Sequence, residues 1–405
     1  MNSFQIQRPF LFVFLLLLTL LTLASLVSCG TESETVPASS AVPETTATES
    51  AFPALNCTVT VKALPGLVQT HTEKQAGFLS DTTDSVAKYA GGNEEISAPQ
   101  PITLEWEVAG EESGISHFIV RIWMKTDQSD TKSYRTQSTA RSFALDNAYI
   151  GERYYWNVTA YGFAGDSVTS RMGTFVTASQ APRNLNLDGV TNVRDLGGWN
   201  TADGGRVRQG LLFRGARLNS GKTSLITSAG ISTARQKLAI QTEIDLRTAD
   251  ATGGITSSML GSGVNYFNRP LKKENLYKDA DNLAMVKEIF ALLADEDNYP
   301  IYFHCSIGTD RTGMIAWLIG GLLGVSEDDL WRDFLFSNFG EIQGPRSKDN
   351  MQSFVDKVKQ TSGSSLSQKV YNYLKNDLSV PTSYLDAVIR IMKIAPGESE
   401  IPVLR

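Results

Sequence analysis

The stretch Pro300-Ile301-Tyr302-Phe303-His304-Cys305-Ser306-Ile307-Gly308-Thr309-Asp310-Arg311-Thr312-Gly313 decides how the second half of this chain is read. Its first residues form an apolar, aromatic run that suits a buried strand, and the run stops at a cysteine. Beyond Arg311, Met314 through Leu323 is apolar nearly all round, which predicts a buried helix. Six backbone N–H groups lie between strand and helix. They can curl into a nest, and the helix adds the positive end of its dipole. Such a cradle suits a phosphate dianion and depresses the pKa of the cysteine at its base, so a thiolate is present at neutral pH. Gly308 permits the backbone angles the turn needs. Arg311 can hold two phosphate oxygens with its planar fork. The chemistry expected is in-line attack of Cys305 on phosphorus, forming a phosphocysteine. Arginine and amides do here what a metal would, so neither metal nor cofactor is expected.

Outward from that stretch, strand and helix signals alternate. Leu211-Leu212-Phe213-Arg214 and Glu243-Ile244-Asp245-Leu246-Arg247 read as further strands. Leu283, Val286, Phe290 and Leu293 fit one helix face, and Ser326-x-x-Asp329 opens another helix with Leu330, Phe334 and Leu335 inward. Pro381 stands at a helix start, followed by a stripe of Leu385, Val388, Ile389 and Met392. This alternation over residues 182–405 predicts an α/β domain, a mainly parallel sheet flanked by helices. Arg214 and Arg247 each end a strand, where ligands bind in open α/β sheets. Either can rim the pocket or form a structural salt bridge.

The first half reads differently. In Ile102 to Val108, in Phe118 to Met124 and in Tyr154 to Tyr161, apolar and polar residues alternate with period 2. Short alternating strands between polar turns predict an antiparallel sandwich over residues 97–178. Residues 55–96 open with Cys-Thr-Val-Thr-Val-Lys and then lose periodicity, an unassigned extra β segment at an edge or a poorly ordered stretch. Residues 29–54 hold Ser, Thr, Ala, Pro and four glutamates, the composition of a disordered linker. Residues 1–28 contain one charge, Arg8, and an apolar run from Phe10 to Val27 that ends in Leu26-Val27-Ser28-Cys29.

Composition bounds the whole. With 405 residues, two or three domains fit. Lys+Arg 37 against Asp+Glu 43 gives a net charge of −6, which argues against gripping nucleic acid through bulk charge. Three cysteines (29, 57, 305) and three histidines (71, 117, 304) exclude a disulfide scaffold and a zinc site built from several cysteines. Cys57, alternating with Val59 and Val61, is expected to be a small buried hydrophobe, and His71 and His117 to be surface or edge residues.

The N-terminus resembles a bacterial lipoprotein signal, which implies cleavage before Cys29, lipidation of its thiol, and a chain held on the outer face of a bacterial membrane. Residues 97–178, with Trp106, Leu145 and the Tyr154-x-Trp156-x-Val158-x-Ala160 strand, resemble a fibronectin type III domain of unknown ligand. Cys305-x5-Arg311-Thr312 resembles the signature of the cysteine-dependent phosphatases. The four residues between Cys and Arg in rhodanese-type sulfurtransferases are too few for a tetrahedral phosphate. Asn192 to Gly198, Gly210 to Leu218, Glu243 to Arg247 and His304 to Gly313, in that order, resemble the bacterial tyrosine-phosphatase family that includes secreted mycobacterial enzymes.

By that resemblance Cys305 is the nucleophile, Arg311 the phosphate clamp and His304 a residue that helps set the thiolate. Ser306 or Thr312 assists its release, and Ile307, Gly308 and Thr309 complete the phosphate-binding loop. Asp310 is the first candidate for the general acid, with Asp195 and Asp245 behind it. Many members carry Lys where this chain has Thr309, which favours phosphotyrosine over phosphoinositide or inositol-phosphate substrates. The expected partner is a phosphorylated protein or a small phosphomonoester. A surface binding protein with a degenerate phosphatase fold is the rival from another class, and the intact Cys305/Arg311 pair speaks against it.

Overall fold

Alternation becomes a sandwich where the sequence predicts it. The computed structural model describes residues 52–272 and 280–405. The segment read as a signal, Cys29 and the expected linker as far as residue 51 lie outside the described residues. Ile102–Gly110 pairs antiparallel with Cys57–Val61 on one side and Ser142–Leu145 on the other. Facing this sheet, Ile115–Trp123 lies between Lys132–Gln137 and Arg153–Gly162, and the last pairs in turn with Gly173–Thr177. The inward positions are those of the period-2 pattern. Leu104, Trp106, Phe118, Val120, Tyr154, Trp156 and Val158 form one buried cluster between the sheets. Burying side chains of this size stabilises by roughly 1.5–3 kcal/mol each.

The second half is α/β. Its six-stranded sheet runs Arg183–Asn184, Arg194–Asp195, Leu212–Gly215, Ile301–His304, Thr242–Asp245, Asn265–Asn268. The last four are parallel and the two short edge strands antiparallel. Ile301–His304 is central, buried at every residue, which is why it reads as a continuous apolar run. The helix Asp310–Leu323 follows it and is buried from Thr312 to Leu323. Glu327–Phe336 is capped by Ser326, whose hydroxyl accepts the Asp329 N–H.

Residues 55–96 are not one β segment. Cys57–Val61 and the short Leu67–Val68 join the sandwich, but the chain then crosses to the α/β half. There it forms the helix Glu73–Ser80, closed by a Thr72/Gln75 capping box, and a 3-10 turn over Thr83–Lys88. Phe78, Leu79, Val86 and Ala90 belong to the same buried cluster as Trp199, Phe336 and Phe339. The Gln75 carboxamide receives the Asn184 amide and donates to the Ile96 and Ala98 carbonyls. His71, expected at the surface, is 2 % exposed; a ring nitrogen meets the Pro182 carbonyl at 2.9 Å, and burial pulls its pKa down. Cys57 is half-buried rather than buried, because it starts an edge strand.

The two halves are riveted together. Arg183 lays its guanidinium 3.7 Å from the centre of the Tyr149 ring, binds the Asn147 and Ala148 carbonyls, and pairs with buried Asp195 at 3.0 Å. Gln209 bridges the Ile150 N–H and carbonyl. The C-terminal tail returns to the sandwich, where Leu404 enters its core and the Val403 carbonyl accepts the Tyr149 hydroxyl.

Candidate active site

Cys305 is 2 % exposed, at the carboxyl end of the central strand. Among the described residues, the amides of Ser306, Ile307, Gly308 and Thr309 in the loop that follows donate to no protein acceptor, whereas the Ser306, Ile307 and Gly308 carbonyls are held. The Asn192 amide donates to the Ile307 carbonyl at 3.0 Å and to the Thr309 hydroxyl at 3.3 Å. Arg214 donates to the Gly308 carbonyl at 2.8 Å. Gly308 has φ +71, and a Cβ there would stand 2.4 Å from the Gly215 carbonyl, so both conformation and space demand glycine. No side chain caps the helix that starts at Asp310. The four loop amides without a protein acceptor are a donor set suited to a tetrahedral anion.

Burial by itself pushes the Cys305 thiol up. The Arg311 charge, the Thr312 hydroxyl and the Thr312 N–H outweigh it, and the pKa falls below the ordinary thiol value. Arg311 is held with its fork preset: its Nη1 donates to the Leu246 carbonyl at 3.4 Å and the Leu271 carbonyl at 3.3 Å, its Nη2 to the Ser306 hydroxyl at 3.3 Å. His304 places Nε2 2.9 Å from the Glu243 carboxylate and Nδ1 3.0 Å from the Cys305 carbonyl. Burial disfavours the imidazolium, but Asp245 and Glu243 overcome that and raise its pKa. His304 thereby links Glu243 to the backbone carbonyl of the residue that carries the thiol.

Of the residues that the sequence singles out, Cys305, Ser306, Ile307, Gly308, Asp310, Arg311 and Thr312 come together at the loop. Thr309, expected among the substrate contacts, turns its side chain inward and is fully buried. Neither Arg214 nor Arg247 rims a pocket, because each is fully buried against a carboxylate. Arg214 pairs with Asp333 below the loop, and Arg247 makes a two-toothed pair with Asp245 and also binds Asn219. Burial and neighbouring Arg194 pull the Arg214 pKa down to about 10, still a cation at neutral pH. Asp310 pairs with Arg346 at 3.0 Å. Asp245 is held below the usual carboxylate range, since His304 and Arg247 outweigh its burial, and Asp195 is committed to Arg183 and the Gly197 and Gly210 amides.

Asn192, Arg194 and Glu243, which lie inside the quoted motifs without an assigned role, support the loop together with Asp333, which no quoted motif contains. Arg194 binds the Asn192 side-chain oxygen and both Asp333 and Ser337, so one buried network runs from Asp333 to the phosphate-binding loop. One signal was available. Asp333 stands beside Phe334 and Leu335 and three residues after Leu330 on a buried helix face, where an acid requires a charged partner.

The tyrosine phosphatase family model matches residues 185–400, more than half of the chain. The chain belongs to the tyrosine phosphatase family. A Cupriavidus necator protein provisionally named a tyrosine-protein phosphatase is 27% identical over 242 residues, 54% of this chain and 82% of that protein. Among solved structures, TpbA of P. aeruginosa matches with 18% identity and TM-score 0.29, over 43% of this chain and 97% of its own. The core catalytic domain of the PP-IP phosphatase SIW14 from S. cerevisiae matches with 13% identity and TM-score 0.27, over 41% and 88%. Membership in the tyrosine phosphatase family agrees with a cysteine-type phosphatase site at the loop.

Proposed function

We propose that this chain hydrolyses phosphotyrosine monoesters in two steps, with phosphoserine and phosphothreonine esters as secondary substrates. The observation that carries the reading is the Cys305 thiol at the start of a loop whose amides have no protein acceptor, with Arg311 tied to that loop through Ser306. The Cys305 sulfur attacks phosphorus, the S–P bond forms and the ester P–O bond breaks, while Arg311 and the amides take the charge on the three equatorial oxygens. Asp310 gives its proton to the leaving phenolic oxygen. Water then attacks the phosphocysteine, the S–P bond breaks, and Asp310 takes the proton of that water. Asp310 is ion-paired at rest, so its proton depends on substrate: an arriving phosphate dianion favours the neutral acid. A recessed sulfur favours the long aryl ester over short alkyl ones. Steady-state kinetics on a phosphotyrosine peptide test this. Cys305→Ser should abolish turnover, and Asp310→Asn should lower kcat by about 10²-fold or more and flatten the pH profile. Full activity in either variant removes that residue from its role.

The same reading makes Cys29 a lipid attachment point on the outer face of a bacterial membrane. The two-sheet module is read as a fibronectin type III-like spacer or binding domain whose ligand its sequence does not name. Support for the anchor is the apolar run that ends at Cys29. Fatty-acid labelling should mark the wild-type chain and not Cys29→Ala; equal labelling of both excludes the anchor.

A further inference from the structure

The buried Thr309 cannot present its side chain to a substrate, so any second charge at the mouth must come from another segment. Arg217 supplies one. It follows Leu212–Gly215, the strand paired in parallel with Ile301–His304, with Gly215 opposite His304. The chain leaving that strand therefore runs beside Cys305 and Ser306, and the Arg217 N–H faces the Ser306 carbonyl at 3.5 Å. The guanidinium lies flat on Gly221, where a Cβ would stand 2.2 Å from Nε and 2.5 Å from Cζ.

Arg217 differs from the other arginines around the loop. Arg194, Arg214 and Arg247 are fully buried and tied to Asp333 or Asp245. The Arg217 side chain is half-buried, and among the described residues no carboxylate or carbonyl accepts its N–H groups. Burial and the like charge of Arg247 disfavour its cation, against the attraction of Asp245 and Cys305. Holding a partly desolvated cation without a hydrogen-bonded counter-charge is costly unless a ligand supplies one. The scissile phosphate is not that ligand, because the loop amides and Arg311 already furnish its donors. The Arg217 backbone meets the loop at the Ser306 carbonyl rather than at its free amides.

We propose that Arg217 is a specificity residue that binds a second anionic group next to the scissile phosphate. The preferred substrates are then phosphomonoesters with a carboxylate or a second phosphate close by, and Arg217 grips that group through its planar fork. This rests on the phosphatase reading above.

The test compares kcat/KM on matched pairs: a phosphotyrosine peptide with Glu or Ala beside the phosphotyrosine, and an inositol bisphosphate against the monophosphate. Wild type should prefer the doubly anionic member of one pair by about tenfold, the worth of one charge-assisted contact. The pair that shows the preference identifies its source. Arg217→Ala should cut the ratio about tenfold and Arg217→Lys should restore part of it. A wild-type ratio near one, or a ratio that Arg217→Ala leaves intact, overturns the proposal. Calorimetric binding of the same pairs to the Cys305→Ser chain needs no turnover. If wild type hydrolyses nothing, the phosphatase reading fails, and the binding ratio still decides the role of Arg217.

Discussion

Residues 304–313 and residues 69–100 are both essential parts of the α/β half, yet they relate to their sequence in opposite ways. The first carries its chemistry locally: a cysteine, a glycine with positive φ and an arginine at fixed spacing between a strand and a helix. The second carries little local pattern. Its helix buries only Gln75, Phe78 and Leu79, too few positions for an amphipathic stripe, and its burial depends on Trp199, Phe336 and Phe339 far along the chain. Local spacing reveals reacting atoms, whereas packing between distant segments is set by shape. The two regions nevertheless meet. Gly92 exchanges backbone hydrogen bonds with Asn338, Ile342 and Gly344, just before Arg346, the partner of Asp310.

That contrast can be broken at its weaker side first. If residues 69–100 are integral, Phe78→Ala should cost about 3–5 kcal/mol, the usual range for a buried Phe. Urea unfolding followed by fluorescence measures it. A loss under about 1 kcal/mol would make the segment an ornament on an independent domain.

A smaller effect sharpens the other side. Asn192→Ala removes the donor to the Ile307 carbonyl, loosens the nest and leaves the fold standing. We expect kcat to fall about tenfold, the worth of a buried hydrogen bond. The sign for pH follows from Cys305, whose thiolate is favoured by Arg311 and Thr312 at the end of the loop, groups whose placement a loosened loop would disturb. Loosening the loop lets that pKa climb back toward the ordinary 9.0, so the acid limb of kcat/KM should move to higher pH. An unmoved limb would show that the loop keeps its shape without Asn192.

Much of this molecule is legible in its sequence. The central strand Ile301–His304, the helix behind the loop and the inward faces of the sandwich follow from periodicities of their own residues. Thr72 and Gln75 also form a readable capping box, but the irregular stretch around them hides it. Arg214 and Arg247 stay open between pocket and salt bridge because a strand end serves either. Burial decides for the salt bridge, since each meets a carboxylate that no local spacing announces. Thr309 misleads for a related reason: in a tight loop a single residue's side chain can face away from the ligand its backbone binds.

The return of the C-terminal tail to the sandwich has a topological consequence. Cys57–Val61, near one end of the described chain, and Leu404, at the other, both sit in the sandwich. The sandwich thus receives both ends of the described chain, while the loop from Cys305 to Arg311 hangs on a sheet whose strands all lie between them in sequence.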